Sequence, residues 1–183
     1  MKLIKIGFLI FFISCFLSIR IHAQDSFSGL RDQDSLKIGQ NFLDFTIQTL
    51  ASDTIQLDEL IHQKKITVLN FWFAACKPCI REIPELNALV ARYQDNPDVV
   101  FLAISILPHG VKSVAQNYKF AYQIAVDESQ EIAKMYEVSS YPCHIVIDSS
   151  GKIVFYKTGL FPEDKLQEGL SIAIEEALAE KDK

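Results

Sequence analysis

Cys76 and Cys79 stand two residues apart in the run Cys76-Lys77-Pro78-Cys79. Joined to each other they would close a loop too small to restrain the unfolded chain appreciably, so reactivity explains the pair better than stability does. The chemistry that suits them is thiol-disulfide exchange. Cys76, as a thiolate, attacks a substrate disulfide and forms a mixed disulfide; Cys79, a turn further on, then attacks the Cys76 sulfur and releases the reduced substrate. The redox-active disulfide Cys76-Cys79 is therefore the redox group, and no other cofactor is expected. C-x-x-C also occurs as half of a zinc site, but the sequence has no second C-x-x-C and no His pair at finger spacing, so no metal is expected.

The elements on either side must hold one sulfur as an anion. Ile66 to Phe73 is nearly continuous apolar sequence, as in a central strand buried on both faces, and it leads directly into Cys76. From Cys79 to Tyr93, Ile83, Leu86, Leu89 and Val90 recur at helical spacing, with Pro84 interrupting the hydrogen-bond ladder and kinking the helix. A cysteine between strand end and helix start faces the unsatisfied amides and positive dipole of the helix N-terminus, which favour a thiolate. Lys77 adds positive charge there, and Pro78 fixes φ in the first helical turn without forfeiting a needed bond. Both residues are expected to tune the reduction potential.

The remaining pattern is α/β. Short alternating runs at Phe45 to Gln48 and Thr54 to Leu57, around Ala51-Ser52-Asp53, predict an N-terminal β-hairpin, with a helical turn over Leu57 to Ile61. Val99 to Ile106 reads as a second buried strand. Helices over Val111 to Tyr118 and Ser129 to Tyr136 flank an extended piece at Gln123 to Val126, which implies a βαβ arrangement. Strands Cys143 to Ile147 and Ile153 to Lys157 are joined by the turn sequence Asp148-Ser149-Ser150-Gly151. A last helix starts near Pro162, with Leu166, Leu170, Ala173, Ile174, Ala177 and Leu178 as its apolar stripe.

The chain has 183 residues, 49% hydrophobic and 22% charged, a globular composition. Its net charge of -5 comes from intermixed residues without a Lys/Arg run, which argues against nucleic-acid binding. Lys2 and Lys5, the apolar stretch Ile6 to Ile19 and the small residue Ala23 predict a secretory signal over 1-23, followed by a polar flexible leader over 24-37 and one domain over 38-183. An uncleaved anchor and lipidation at Cys15 are the alternatives to a cleaved signal. Cleavage leaves Cys76, Cys79 and Cys143, too few for a disulfide scaffold.

Phe71-Trp72-Phe73-Ala74-Ala75-Cys76-Lys77-Pro78-Cys79 followed by Arg81-Glu82-Ile83-Pro84-Glu85-Leu86 resembles the active-site segment of the TlpA/ResA-like branch of thioredoxin-fold proteins. The likeness runs from about Ile38 to the C-terminus. It takes in the N-terminal hairpin, an extra strand and helix ahead of Tyr141-Pro142, and Ile145-Val146-Ile147-Asp148 before a Gly turn. The resemblance implies a thioredoxin fold, a central mixed β-sheet flanked by helices, with an N-terminal β-hairpin and a β-α insertion before a cis-Pro loop. It also implies an extracytoplasmic oxidoreductase in which Pro142 is cis and stands against the cysteine pair. Tyr141 would then offer a backbone edge to an extended substrate. Tyr141, Pro142 and Trp72 are the candidate substrate-binding residues, Trp72 from a place in the core beneath the site.

Glu82 matches a glutamate that the resemblance places in the active-site cavity, and one helical turn sets it on the face of Cys79, suited to proton transfer with the resolving thiol. Asn70 stands where thioredoxin carries a buried aspartate and cannot exchange a proton. Ala75 departs from the usual aromatic before the nucleophile. Cys143 reads as an inert small hydrophobe, with an alternative mixed disulfide as its other role. His109 and His144 read as loop and strand residues. The expected function is reduction of disulfides in exported proteins, apocytochrome c among them, by a periplasmic monomer fed from a membrane thiol donor. A thiol peroxidase of the same fold, which would carry Thr where Phe73 stands, and a Cu(I)-binding metallochaperone are the alternatives.

Overall fold

A computed structural model describes residues 37–160 and 165–181. The expected signal over 1-23, Cys15, the leader as far as residue 36, and Pro162 lie outside them. Two strands form first, β1 (Thr46–Gln48) and β2 (Thr54–Gln56), paired antiparallel as a hairpin with Thr46 opposite Gln56. A short helix, α1 (Leu57–His62), follows directly and buries Leu57 and Ile61.

The apolar run becomes β3 (Ile66–Trp72), in which every residue is buried. It is the central strand of a mixed five-stranded sheet because both of its edges are taken. On one side β4 (Val99–Ser105) pairs with it in parallel, and β5 (Gln123–Val126) pairs in parallel with β4. Parallel neighbours need a crossover. The crossovers are α2 (Lys77–Arg92), between β3 and β4, and α3 (Val111–Asn117), between β4 and β5. On the other side of β3 lie β6 (Cys143–Ile147) and then β7 (Ile153–Thr158), each antiparallel to its neighbour. Helix α4 (Glu131–Met135) precedes β6, and α5 (Lys165–Lys181) ends the fold. The expected mixed sheet, hairpin and inserted β5 and α4 are all present. The helices differ at their ends: α2 starts at Lys77 because Cys76 already caps it, and α4 keeps only five residues.

Alternation along the strands divides the core. Leu69, Phe71, Cys143, Ile145 and Ile147 join the cluster built with Phe45, Leu57 and Tyr136. Val68 and Val146 look the other way, onto Leu86 and Leu89 of α2 and Leu170 and Ile174 of α5. Asn70 and His144, directly opposite each other in the β3–β6 register, fall in the same alternating row as Val68 and Val146 and so face α2.

The β6–β7 turn is fixed by Asp148, whose Oδ1 accepts from the amides of Ser150 at 2.8 Å and Lys152 at 2.9 Å. Gly151 follows at φ +84°, and a Cβ there would fall 2.6 Å from Cδ1 of Phe42. Its carbonyl accepts from the Phe42 amide at 2.7 Å, so the strand cannot swing away freely. Gly151→Ala is expected to destabilise the domain by about 2–3 kcal/mol, from left-handed backbone strain and the ring clash together. A lowered urea midpoint at unchanged slope is the measurement that checks it.

Candidate active site

Cys76 is the N-cap of α2, with φ −78° and ψ 96°, and its Sγ accepts from the Cys79 amide at 3.3 Å. Its carbonyl accepts the Ile80 amide at 3.0 Å, and its own amide donates to the Phe73 carbonyl at 3.0 Å. Lys77 and Pro78 occupy the first helical turn, where Pro78 forfeits no bond because the first amides of a helix have no partner within it. The sulfur is thus aimed at by a helix amide and by the positive end of the helix dipole, the electrostatics a thiolate needs.

The two sulfurs are joined, S–S 2.00 Å and Cα–Cα 5.3 Å. Cys76 is 5% exposed and Cys79 4%, whereas Ala75 and Lys77 beside them are exposed. An incoming sulfur therefore meets the pair across the Ala75–Lys77 surface. A groove of about 650 Å³ opens there, lined by Ala74, Ala75, Lys77, Ile80, Arg81 and Tyr118, with Lys77 and Arg81 as its cations.

Behind the pair the helix buries a carboxylate. Glu82, one turn past Cys79, is 5% exposed, and its Oε2 lies 2.9 Å from Nε2 of His144, which is fully buried. Nδ1 of the same ring lies 3.3 Å from Nδ2 of Asn70. Three polar side chains from α2, β6 and β3 thus form one buried chain beneath the disulfide. Uncompensated burial of such groups is costly, and mutual hydrogen bonding is what makes it tolerable. Glu82 lies in the interior, while His144, expected as a plain strand residue, is hydrogen-bonded to it at the site. A polar ring inside Cys143-His144-Ile145-Val146-Ile147, a strand buried throughout, was the available signal: it must find a hydrogen-bond partner. Which partner is decided by the β3–β6 register.

The Tyr141–Pro142 bond is cis, as the resemblance implied. Cys143 pairs with Phe71, so Pro142 comes opposite Trp72, at the end of β3 from which the cysteine segment leaves. Pro142 is buried and Tyr141 half-buried, its ring edge-on to Phe73 with centroids 5.5 Å apart. Burial, with smaller contributions from Cys143 and Asp127, pushes the Tyr141 phenol above its ordinary value. Phe73 brings no hydroxyl to the position where a thiol peroxidase would carry threonine.

Trp72 lies in the core beneath the site, as expected, but its burial removes it as a substrate contact. At 1% exposure it cannot touch substrate in this state; its ring stacks on Phe120 at 4.9 Å, and Phe120 on Tyr122 at 5.0 Å. The physical reason is its place as the last residue of a strand buried on both faces, under α2 and α3. With the cysteines, Val111 and Ile124 it forms the apolar floor of the site. Asn87 on α2 holds that floor in place, since its amide donates to the carbonyls of Tyr118 and Lys119 and accepts from the Ala121 amide at 2.9 Å. Cys143 is fully buried in the cluster on the opposite face of the sheet from Glu82, as suits a small hydrophobe. His109 is exposed in the loop before α3. Among the described residues no group of three or more His, Cys, Asp or Glu is arranged to hold a metal ion, and no helix is long and apolar enough to cross a membrane.

The chain is similar to known proteins in sequence and fold. The model of the AhpC/TSA family matches residues 38–156. A thiol-disulfide oxidoreductase ResA of Bacillus cereus is 30% identical over 124 residues, which are 67% of this chain and 70% of that protein. Among solved structures, a thiol:disulfide interchange protein DsbE from Chlorobium tepidum, described as putative, superposes with TM-score 0.68 at 22% identity, covering 77% of this chain and 97% of its own. A secreted Mycobacterium tuberculosis disulfide oxidoreductase, 25% identical, gives TM-score 0.59 over 72% of this chain and 95% of its own.

Proposed function

The chain belongs to the AhpC/TSA family and, within the thioredoxin fold, to the TlpA/ResA-like thiol-disulfide oxidoreductases, and on that footing we propose that it works in the reductive direction, on disulfides of proteins outside the cytoplasm. Its activity is dithiol exchange through Cys76 and Cys79. The observation that carries the reading is the oxidised pair itself, capping a helix with one sulfur while a buried carboxylate waits one turn behind the other.

Reduced, the chain offers Cys76 as thiolate to a substrate disulfide. The Cys76–substrate bond forms as the substrate disulfide breaks, and the departing substrate sulfur leaves as thiolate. Cys79 then gives its proton to Glu82 and attacks Cys76; the second substrate sulfur leaves, two electrons have passed to substrate, and the disulfide seen here is restored. A donor dithiol returns the electrons: one of its thiolates attacks Cys76, whereupon Cys79 leaves and recovers a proton, and its second thiol then displaces Cys76 as thiolate and closes the donor's own disulfide. We take that donor to be a membrane dithiol protein, and apocytochrome c, by the family resemblance, to be one substrate. The extended edge at Tyr141-Pro142 and the groove beside Ala75 and Lys77 are the surfaces on which such a substrate would lie, with Lys77 and Pro78 setting the potential of the pair. The chain acts as a monomer placed outside the cytoplasm by its N-terminal signal. The secreted character of the Mycobacterium oxidoreductase supports that placement.

Equilibration of the purified domain against dithiothreitol buffers tests the direction. A potential near about −270 mV, that of thioredoxin, is expected, whereas one near about −120 mV, that of a strong oxidant, would overturn the reductive reading.

A further inference from the structure

His144 is not required by the exchange reaction as written, yet it is the most deeply buried ionisable side chain at the site and touches the carboxylate that is. Its surroundings define its state. The amide nitrogen of Asn70 carries only hydrogens to donate, so at 3.3 Å it points a donor at Nδ1, which must present a lone pair. A neutral imidazole has one N–H, and with Nδ1 bare that hydrogen sits on Nε2, aimed at Oε2 of Glu82 at 2.9 Å. With that tautomer the hydrogen bonds run in one direction, from Asn70 through His144 to the Glu82 carboxylate.

We propose that His144, held as the Nε2–H tautomer by Asn70, is the positioning residue that keeps Glu82 an oriented, ionised proton acceptor for Cys79. The inference rests on the reading of Glu82 as that acceptor. A neutral N–H donor supplies what a buried carboxylate lacks away from water, without placing a compensating positive charge beside it. Because Nε2 already carries its hydrogen, the proton from Cys79 stays on Glu82 and remains one turn away from the sulfur that needs it back when the disulfide is reduced. A lysine in place of His144 would instead lock the carboxylate in an ion pair and weaken it as a base.

Other ionisable groups face this pair from the elements packed around it. On α2 itself these are Cys79, one turn before, and Glu85, one turn after. Ahead of β5, the Tyr122 hydroxyl is buried; burial, reinforced by the Glu82 charge, pushes its phenol far above the ordinary value, so it stays neutral. From β3 the facing group is Asn70, which does not titrate; from β6 it is His144, and from β7 it is Lys157, opposite His144 in the β6–β7 register and so on the same face of the sheet.

The test is the pH profile of the resolving step, read as single-turnover decay of a mixed disulfide between Cys76 and a model peptide, in the wild-type chain and in Glu82→Gln, His144→Phe and His144→Gln. The wild-type rate is expected to fall toward acid as the carboxylate takes up a proton, and Glu82→Gln to lose that limb. With the donor removed in His144→Phe, the limb should move up by about one pH unit. His144→Gln, whose amide N–H can replace Nε2–H, should return it to within about half a unit of wild type. A merely structural histidine would lower the rate at every pH without moving the limb. The proposal falls if His144→Phe titrates as wild type, or if His144→Gln is displaced as far as His144→Phe. Should Glu82→Gln keep the wild-type limb, the acceptor reading fails and this inference with it; a lost limb in Glu82→Gln beside an unmoved one in His144→Phe sinks this inference alone. Imidazole ¹⁵N resonances of the unsubstituted protein decide the matter should His144→Phe not fold. A protonated Nε2 with bare Nδ1 is expected, and the opposite tautomer or an imidazolium at the pH of activity is incompatible with the proposal.

Discussion

With Cys79 replaced by alanine, the chain should accumulate as a covalent adduct with its substrate and lose turnover on the order of a thousandfold or more. Cys79 is held against Cys76, as the disulfide and the amide-to-sulfur contact at 3.3 Å demonstrate. A well-oriented neighbouring group acts at an effective concentration of about 10⁵ M or above, which no thiol in solution approaches. Removing it leaves Cys76 able to attack but unable to let go, so the mixed disulfide persists until an external reductant cleaves it. Non-reducing electrophoresis with mass spectrometry of the captured protein reads the outcome and names the substrate. Cys76→Ala should capture nothing. Capture that survives Cys76→Ala but disappears in Cys143→Ala would show that the nucleophile has been misassigned, an outcome opposed by the burial of Cys143 on the far face of the sheet.

The second large effect concerns Glu82. Glu82→Gln preserves the shape of the side chain and an oxygen that can accept from His144 Nε2–H, so the buried chain of Asn70, His144 and residue 82 can still close. What it removes is the charge that takes the Cys79 proton. Loss of a positioned general base costs about a hundredfold or more, and the cost should fall on one step. In rapid-mixing experiments the first attack by Cys76 should proceed at its normal rate, since the helix N-terminus that favours its thiolate is untouched, while decay of the mixed disulfide slows. Equal slowing of both steps would mean that Glu82 supports the fold rather than the proton transfer. Unfolding measurements on the variant, expected to lie close to wild type, separate the two.

Local physics explains which features were readable along the chain. The strand into Cys76 is apolar at consecutive positions, the helix after it repeats every three or four residues, and Asp148 to Gly151 carries a turn in its own side chains and backbone freedom. Each signal involves residues within a few positions of one another. Cys76 and Cys79 belong to the same class, because a helix cap and the residue three further on are close by construction, and so their chemistry could be argued from spacing alone. Glu82 follows from the same helical turn, and Tyr141-Pro142 from the family likeness.

Tertiary structure decided the rest. His144 meets Asn70 across 74 positions and Glu82 across 62, contacts that exist only once β6 has chosen its register on β3. A shift of one residue would have turned His144 away from α2 and put Cys143 beneath the active site instead, because side chains alternate between the faces of a sheet. The same closure covered Trp72 with α2, α3 and Phe120, converting a candidate substrate contact into the floor under the disulfide. Neighbouring residues suffice to bring two sulfurs together at the mouth of a helix; the packing of distant strands selects which groups handle their protons.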